Sequence, residues 1–160
     1  MMQRRQLIQA IAGLAGASTI TPALWAQAKT PVEVWKDPDC GCCKDWVAHL
    51  EANGFEVRVH DSGNTAARTR LGIPQKLGSC HTAEVSVKGT RYALEGHVPA
   101  RDIRRLLKER PQAIGLAVPG MPVGSPGMDA AIYGGRKDPY DVLLVLQGGS
   151  SRVYQSYHRS

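Results

Sequence analysis

PVEVWKDPDCGCCKDWVAHLEANGFEVRVH, residues 31–60, is the stretch that decides the fold. It changes hydrophobic period twice. Pro31 to Trp35 alternates apolar and polar side chains, the period of a strand with one buried face. Asp37-Pro38-Asp39 then turns the chain. From Cys40 the apolar residues recur as Cys43, Trp46, Val47 and Leu50, at i, i+3, i+4 and i+7, which is one face of a helix. Asn53-Gly54 stops that helix, and Phe55 to His60 alternates again as a second strand. Two strands joined through a helix should be parallel, with a right-handed crossover. A cysteine pair, Cys40 and Cys43, falls where the first strand meets the first helix.

Toward the C-terminus, Thr65 to Leu71 reads as a short polar helix ended by Gly72 and Pro74. Thr82 to Val87 and Arg91 to Leu94 flank the turn Lys88-Gly89, so they should pair antiparallel. Pro99 opens a helix whose Ile103, Leu106 and Leu107 face inward, and Pro111 follows its end. The order is strand-helix-strand-helix-strand-strand-helix, with the cysteine pair at the first helix. It predicts an α/β, thioredoxin-like domain with a mixed sheet. Residues 111–139 are rich in glycine and proline and show no period, so they read as one long loop, a feature that usually carries function. Asp141 to Leu146 and Arg152 to Tyr157 flank Gly148-Gly149-Ser150-Ser151 and read as a C-terminal β-hairpin extending the sheet.

Toward the N-terminus, the first 28 residues read as an export signal. Arg4-Arg5 is its charged start, Leu7-Ile8 and Ala10 to Ile20 its weakly apolar stretch, and Ala26-Gln27-Ala28 its cleavage site. Gln3-Arg4-Arg5-Gln6-Leu7-Ile8 also resembles a twin-arginine signal. The reading is a signal peptide over residues 1–28 and one domain over residues 29–160. It places the mature chain in an oxidising compartment, the bacterial periplasm.

Composition excludes several classes. With 160 residues, 42% hydrophobic and 21% charged, the chain can bury its own core and is not disordered throughout. No window approaches the roughly 20 apolar residues of a membrane span. The net charge is +6, and two of its arginines lie in the signal segment, so the mature excess is mild and calls for no nucleic acid. One phenylalanine and five tyrosines supply no base-stacking platform. His49, His60 and His158 read as solvated, and Arg101 to Arg110 as the wet face of a helix.

All four cysteines lie in two short motifs, Cys40-Gly41-Cys42-Cys43 and Ser79-Cys80-His81-Thr82. Three readings compete. Two structural disulfides would be a poor staple, because three of the cysteines crowd within four residues. A thiol–disulfide oxidoreductase would use the CxxC pair Cys40 and Cys43 and leave Cys42 and Cys80 unexplained. It would also put Cys80-His81-Thr82 where the fold usually has a proline facing the pair. A metal site uses all four. Thiolates are favoured at a helix N-terminus, and converging thiolates with a histidine suit Cu(I) or Zn(II). Met121 and Met128 in the long loop offer thioethers, good donors for Cu(I) and poor ones for zinc. His97, between the fourth strand and the third helix, lies at the cysteine end of such a sheet. The loop from Gly115 to Met128 reads as a lid over that end.

At these residues the sequence resembles a known family. DPDCGCCKDW at Asp37–Trp46, Cys80-His81-Thr82-Ala83, EGHVPA at Glu95–Ala100 and GLAVPGMPVGSPGM at Gly115–Met128 are similar to the CopG-like family of periplasmic copper-resistance proteins. The likeness runs from about Val32 to the C-terminus. It implies a thioredoxin-like domain that holds copper through cysteine sulfur, multinuclear clusters included. It further implies a part in copper tolerance through handling or interconverting Cu(I) and Cu(II), alongside other periplasmic copper-handling proteins. Carried over residue by residue, the metal ligands are Cys40, Cys42, Cys43, Cys80 and His97, with His81, Met121 and Met128 as further candidates. A periplasmic oxidoreductase is the alternative function, and a zinc-stabilised binding module comes third.

Overall fold

A computed structural model describes residues 29–159; the signal peptide expected over residues 1–28 lies outside the described residues. β1 (Thr30–Lys36), α1 (Gly41–Ala52) and β2 (Phe55–His60) form the first unit, and β1 and β2 are parallel, with Val34 beside Val59. α2 (Asn64–Arg70) and a 3-10 turn at Gln75–Leu77 lead to β3 (His81–Val87) and β4 (Thr90–Glu95), an antiparallel pair. α3 (Ala100–Glu109) is followed by β5 (Gly115–Ala117). A long loop with a 3-10 turn at Ala131–Tyr133 then reaches β6 (Tyr140–Val145) and β7 (Ser151–Tyr157). The result is a mixed α/β domain on one seven-stranded sheet, ordered β2-β1-β3-β4-β5-β6-β7.

Strand alternation gives the sheet two apolar faces. Leu94, Leu116 and Leu144 share one cluster with Trp46 and Leu50 of α1 and Ile103 and Leu106 of α3. Their neighbours Ala93, Ala117 and Val145 pack on the other cluster, with Ile73 and Leu77 from the segment after α2. Each fully buried leucine contributes about 1.5–3 kcal/mol, so α1 is fixed to the sheet by the same periodic face that sequence identifies. Among the described residues no helix is long and apolar enough to cross a membrane.

Three expectations are corrected. Residues 111–139 are not loop throughout, because β5 lies within them, parallel to β4 and antiparallel to β6. The C-terminal hairpin therefore joins the sheet through β5, which must be added to the expected order. β5 is three residues long, too short to display a period, and its first residue is glycine. A Cβ on Gly115 would lie 1.8 Å from the Ala93 carbonyl oxygen, so β4 and β5 approach as only glycine permits. His49 is not solvated. It is half-buried, and its Nε2 accepts the Ala100 amide of α3 at 3.1 Å, satisfying a helix N-terminus from another helix. Asp102, within the expected wet face of α3, is buried and accepts the Tyr157 hydroxyl.

Candidate metal centre

The turn between β1 and α1 sets the first three sulfurs. Asp37 Oδ1 accepts the Asp39 amide at 2.9 Å, and the Cys40 amide donates to the Asp37 carbonyl at 3.2 Å. Cys40 is the N-cap of α1 in an extended conformation, with no side-chain cap. No side chain therefore competes with sulfur for the positive end of the helix dipole.

Cys40 and Cys43 are joined by a disulfide, with Cα atoms 5.4 Å apart, while Cys42 and Cys80 are free thiols. Cys42 Sγ is 3.5 Å from Cys40 Sγ and 3.9 Å from Cys80 Sγ. Cys43, fully buried, directs its Sγ to the Cys80 carbonyl at 3.7 Å. All four sulfurs lie within 4.8 Å of one another. Cys80, one residue before β3, thus meets the start of α1 across the fold.

Cys80 also centres a second group. His81 Nδ1 is 3.3 Å and His97 Nε2 is 3.2 Å from its sulfur, and the three ligand atoms lie within 4.8 Å of one another. His97 Nδ1 lies 2.8 Å from the Pro126 carbonyl. A carbonyl only accepts, so Nδ1 carries the proton and Nε2 offers its lone pair beside Cys80. His81 is fully buried against Trp46, with ring centroids 4.3 Å apart, and edge-on to His97 at 5.0 Å. Its Nε2 has no hydrogen-bond partner among the described residues. Burial, aided by the neighbouring Cys42, pushes the Cys80 thiol up to about 12. Burial drives His97 down and His81 well below the ordinary imidazole range, so both rings are neutral at pH 7.

The loop after β5 lies over this end of the sheet. Gly127 has φ +84°, and a Cβ there would come within 2.7 Å of the Cys42 carbonyl oxygen and 2.8 Å of the Trp46 amide nitrogen. The Ser79 hydroxyl donates to the Gly120 carbonyl. Met121 is nevertheless 52% exposed, and Met128, though buried, turns its Sδ to the Tyr133 hydroxyl at 3.5 Å. Among the described residues no hydrogen bond joins either thioether to a cysteine sulfur. The structure brings together Cys40, Cys42, Cys43 and Cys80 in one group and Cys80, His81 and His97 in a second that shares Cys80.

Sequence reading missed the support beneath Cys80. Glu95 is fully buried and pairs with buried Arg68 at 2.8 Å. Burial raises its carboxyl pKa, and hydrogen bonds from Thr82 and Ser79, together with Arg68, oppose that rise. The signal in the sequence is faint: Asn64 and Arg68 stand four apart on one face of α2, and Glu95 precedes Gly96-His97.

Comparison with known proteins follows the same residues. Residues 77–128 match a family model described as "Protein of unknown function, DUF411". No curated protein matches. Among solved structures, one described as "Copper resistance protein copG- Form 2" is 46% identical, with a TM-score of 0.71, covering 81% of this chain and 98% of its own. A second, described as "Copper resistance protein copG- Form 1", is 47% identical with the same TM-score and coverage.

Proposed function

We propose that this chain, which belongs to the family of the copper resistance protein CopG, binds copper through the sulfurs of Cys40, Cys42, Cys43 and Cys80 and serves copper tolerance. The observation that carries the proposal is the donor set. Four sulfurs lie within 4.8 Å of one another, two neutral imidazoles flank Cys80, and neither group contains a carboxylate. Sulfur with imidazole is a soft set that suits Cu(I) and Zn(II). The copper-resistance relatives support copper as the ion held. His97 through Nε2 and His81 through Nδ1 are the nitrogen donors, each facing the Cys80 sulfur.

In the state described, Cys40 and Cys43 are oxidised. Two electrons and two protons convert that disulfide to two thiols, after which all four cysteines can serve. Each thiol gives up its proton as it takes the ion. The sulfur–nitrogen set, loaded with copper, is the place for Cu(I)/Cu(II) interconversion with an external one-electron partner. The domain is a thioredoxin-like unit over residues 29–160, exported to the periplasm after cleavage near Ala28, where other copper-handling proteins supply or receive the ion.

The test is Cu(I) titration of anaerobically reduced protein with metal analysis and near-ultraviolet absorption. Cys42→Ser is expected to reduce copper per chain, because Cys42 stands between Cys40 and Cys80. Full copper binding by Cys42→Ser, with dithiol activity abolished in Cys40→Ser, would replace this proposal with an oxidoreductase.

A further inference from the structure

We infer that Asn64, Arg68 and Glu95 are positioning residues that clamp the backbone around Cys80 and so present its sulfur to copper; this rests on the copper reading above. Three backbone groups in two successive residues are held by side chains from two other elements. The Ser79 amide donates to Glu95 Oε1 at 2.6 Å. The Ser79 carbonyl accepts Arg68 at 2.7 Å, and the Cys80 carbonyl accepts Asn64 Nδ2 at 2.8 Å. The clamp also closes on itself. Arg68 Nε donates to Glu95 Oε1 at 2.9 Å, Arg68 reaches Asn64 Oδ1 at 3.3 Å, and Thr82 donates to Glu95 Oε2 at 2.7 Å.

A buried ion pair is a poor way to add stability, because desolvation offsets most of the attraction and apolar packing often serves as well. What it supplies is geometry. Arg68 is 5% exposed and Glu95 is fully buried, so neither can relax into water without opening the turn. The polar atoms of the clamp converge on Ser79 and Cys80, and through Thr82 on the strand that follows. The sulfur so fixed lies 3.9 Å from Cys42 and 3.2 Å from His97. A turn held only by its own hydrogen bonds would let Cys80 swing, and a ligand that swings loses affinity to conformational entropy.

The test uses Asn64→Ala in the mature chain, since it loosens one grip without leaving a buried charge unpaired. In reduced, copper-free protein, iodoacetamide is expected to alkylate Cys80 faster than in wild type, with Cys40, Cys42 and Cys43 unchanged by mass spectrometry. Cu(I) affinity, read by competition with a chromophoric chelator, should fall about tenfold or more, as for other residues that orient ligands. In a Cys80→Ser background the same substitution should cost no further affinity, because the residue acts through Cys80. Arg68→Lys should repeat the pattern, keeping charge but losing the planar fork. Wild-type alkylation of Cys80 and wild-type affinity in Asn64→Ala would overturn the inference, as would a loss that persists in the Cys80→Ser background. A wild-type chain that binds no copper would defeat the functional proposal instead, and the alkylation comparison would still judge the clamp.

Discussion

Cys80 lies one residue before β3, and its half-buried side chain meets Cys42, His81 and His97 instead of the hydrocarbon core. Its sulfur can be exchanged for oxygen with little loss of packed surface. Cys80→Ser is expected to shift stability of the reduced, copper-free protein by less than about 1 kcal/mol. Copper per chain should nevertheless drop, checked by parallel thermal melts and metal analysis; a melt that loses cooperativity would make Cys80 a core residue. The position of Cys80 was legible in the sequence, because in the expected thioredoxin-like arrangement the turn before β3 faces the start of α1. The histidines were harder. His97 could be placed from its turn, but His49 could not, since the Ala100 amide it accepts lies 51 residues away in sequence. A cap donated across the fold has no local spacing to betray it.

The elements were legible in proportion to their length. α1 and α3 each repeat an apolar face over several turns, and β1, β2, β6 and β7 are long enough to alternate. β5 has three residues and no alternation to read, and Gly115 marks it only once the approach to Ala93 is seen. The loop after β5 was legible as a cover because glycines and prolines permit a tight path, but the contact it makes is a matter of one residue. Gly127 combines φ +84° with backbone atoms of α1 closer than a Cβ allows. Gly127→Ala therefore carries both the left-handed strain, about 1–2 kcal/mol, and a clash that backbone must move to relieve. Gly134→Ala is the control, with φ +61° and open space around its Cβ position. The Gly127 variant should melt lower than the Gly134 variant and expose Cys42 to faster alkylation. Equal melts and equal alkylation would mean the loop does not cover the cysteines.

Across the whole molecule the buried ionisable groups set how stability responds to pH. Burial lowers the pKa of His49, His81 and His97, and His81 falls well below its ordinary value. The unfolded chain therefore binds protons at these positions before the folded protein does. Their stabilising contribution is present above the unfolded imidazole pKa, about 6.5, and is lost as pH falls from there toward the folded values. Glu95 and Asp102 work the opposite way: burial raises them, so the folded protein holds their protons longer and gains relative stability as the medium acidifies through the carboxylate range. Between about pH 7 and 5.5 the unfolded histidines take up protons, and comparing a histidine variant with wild type at each pH separates their effect from Glu95 and Asp102, which both chains share. In that window the copper-free protein should lose stability as pH falls. His81→Leu removes the most depressed of the three at similar volume. It should flatten the slope of stability against pH while leaving the His49 and His97 contributions, and the slope decides because a packing change moves stability equally at every pH. Denaturant midpoints at several pH values provide the measurement. An unchanged slope in His81→Leu would show that His81 does not carry this proton linkage.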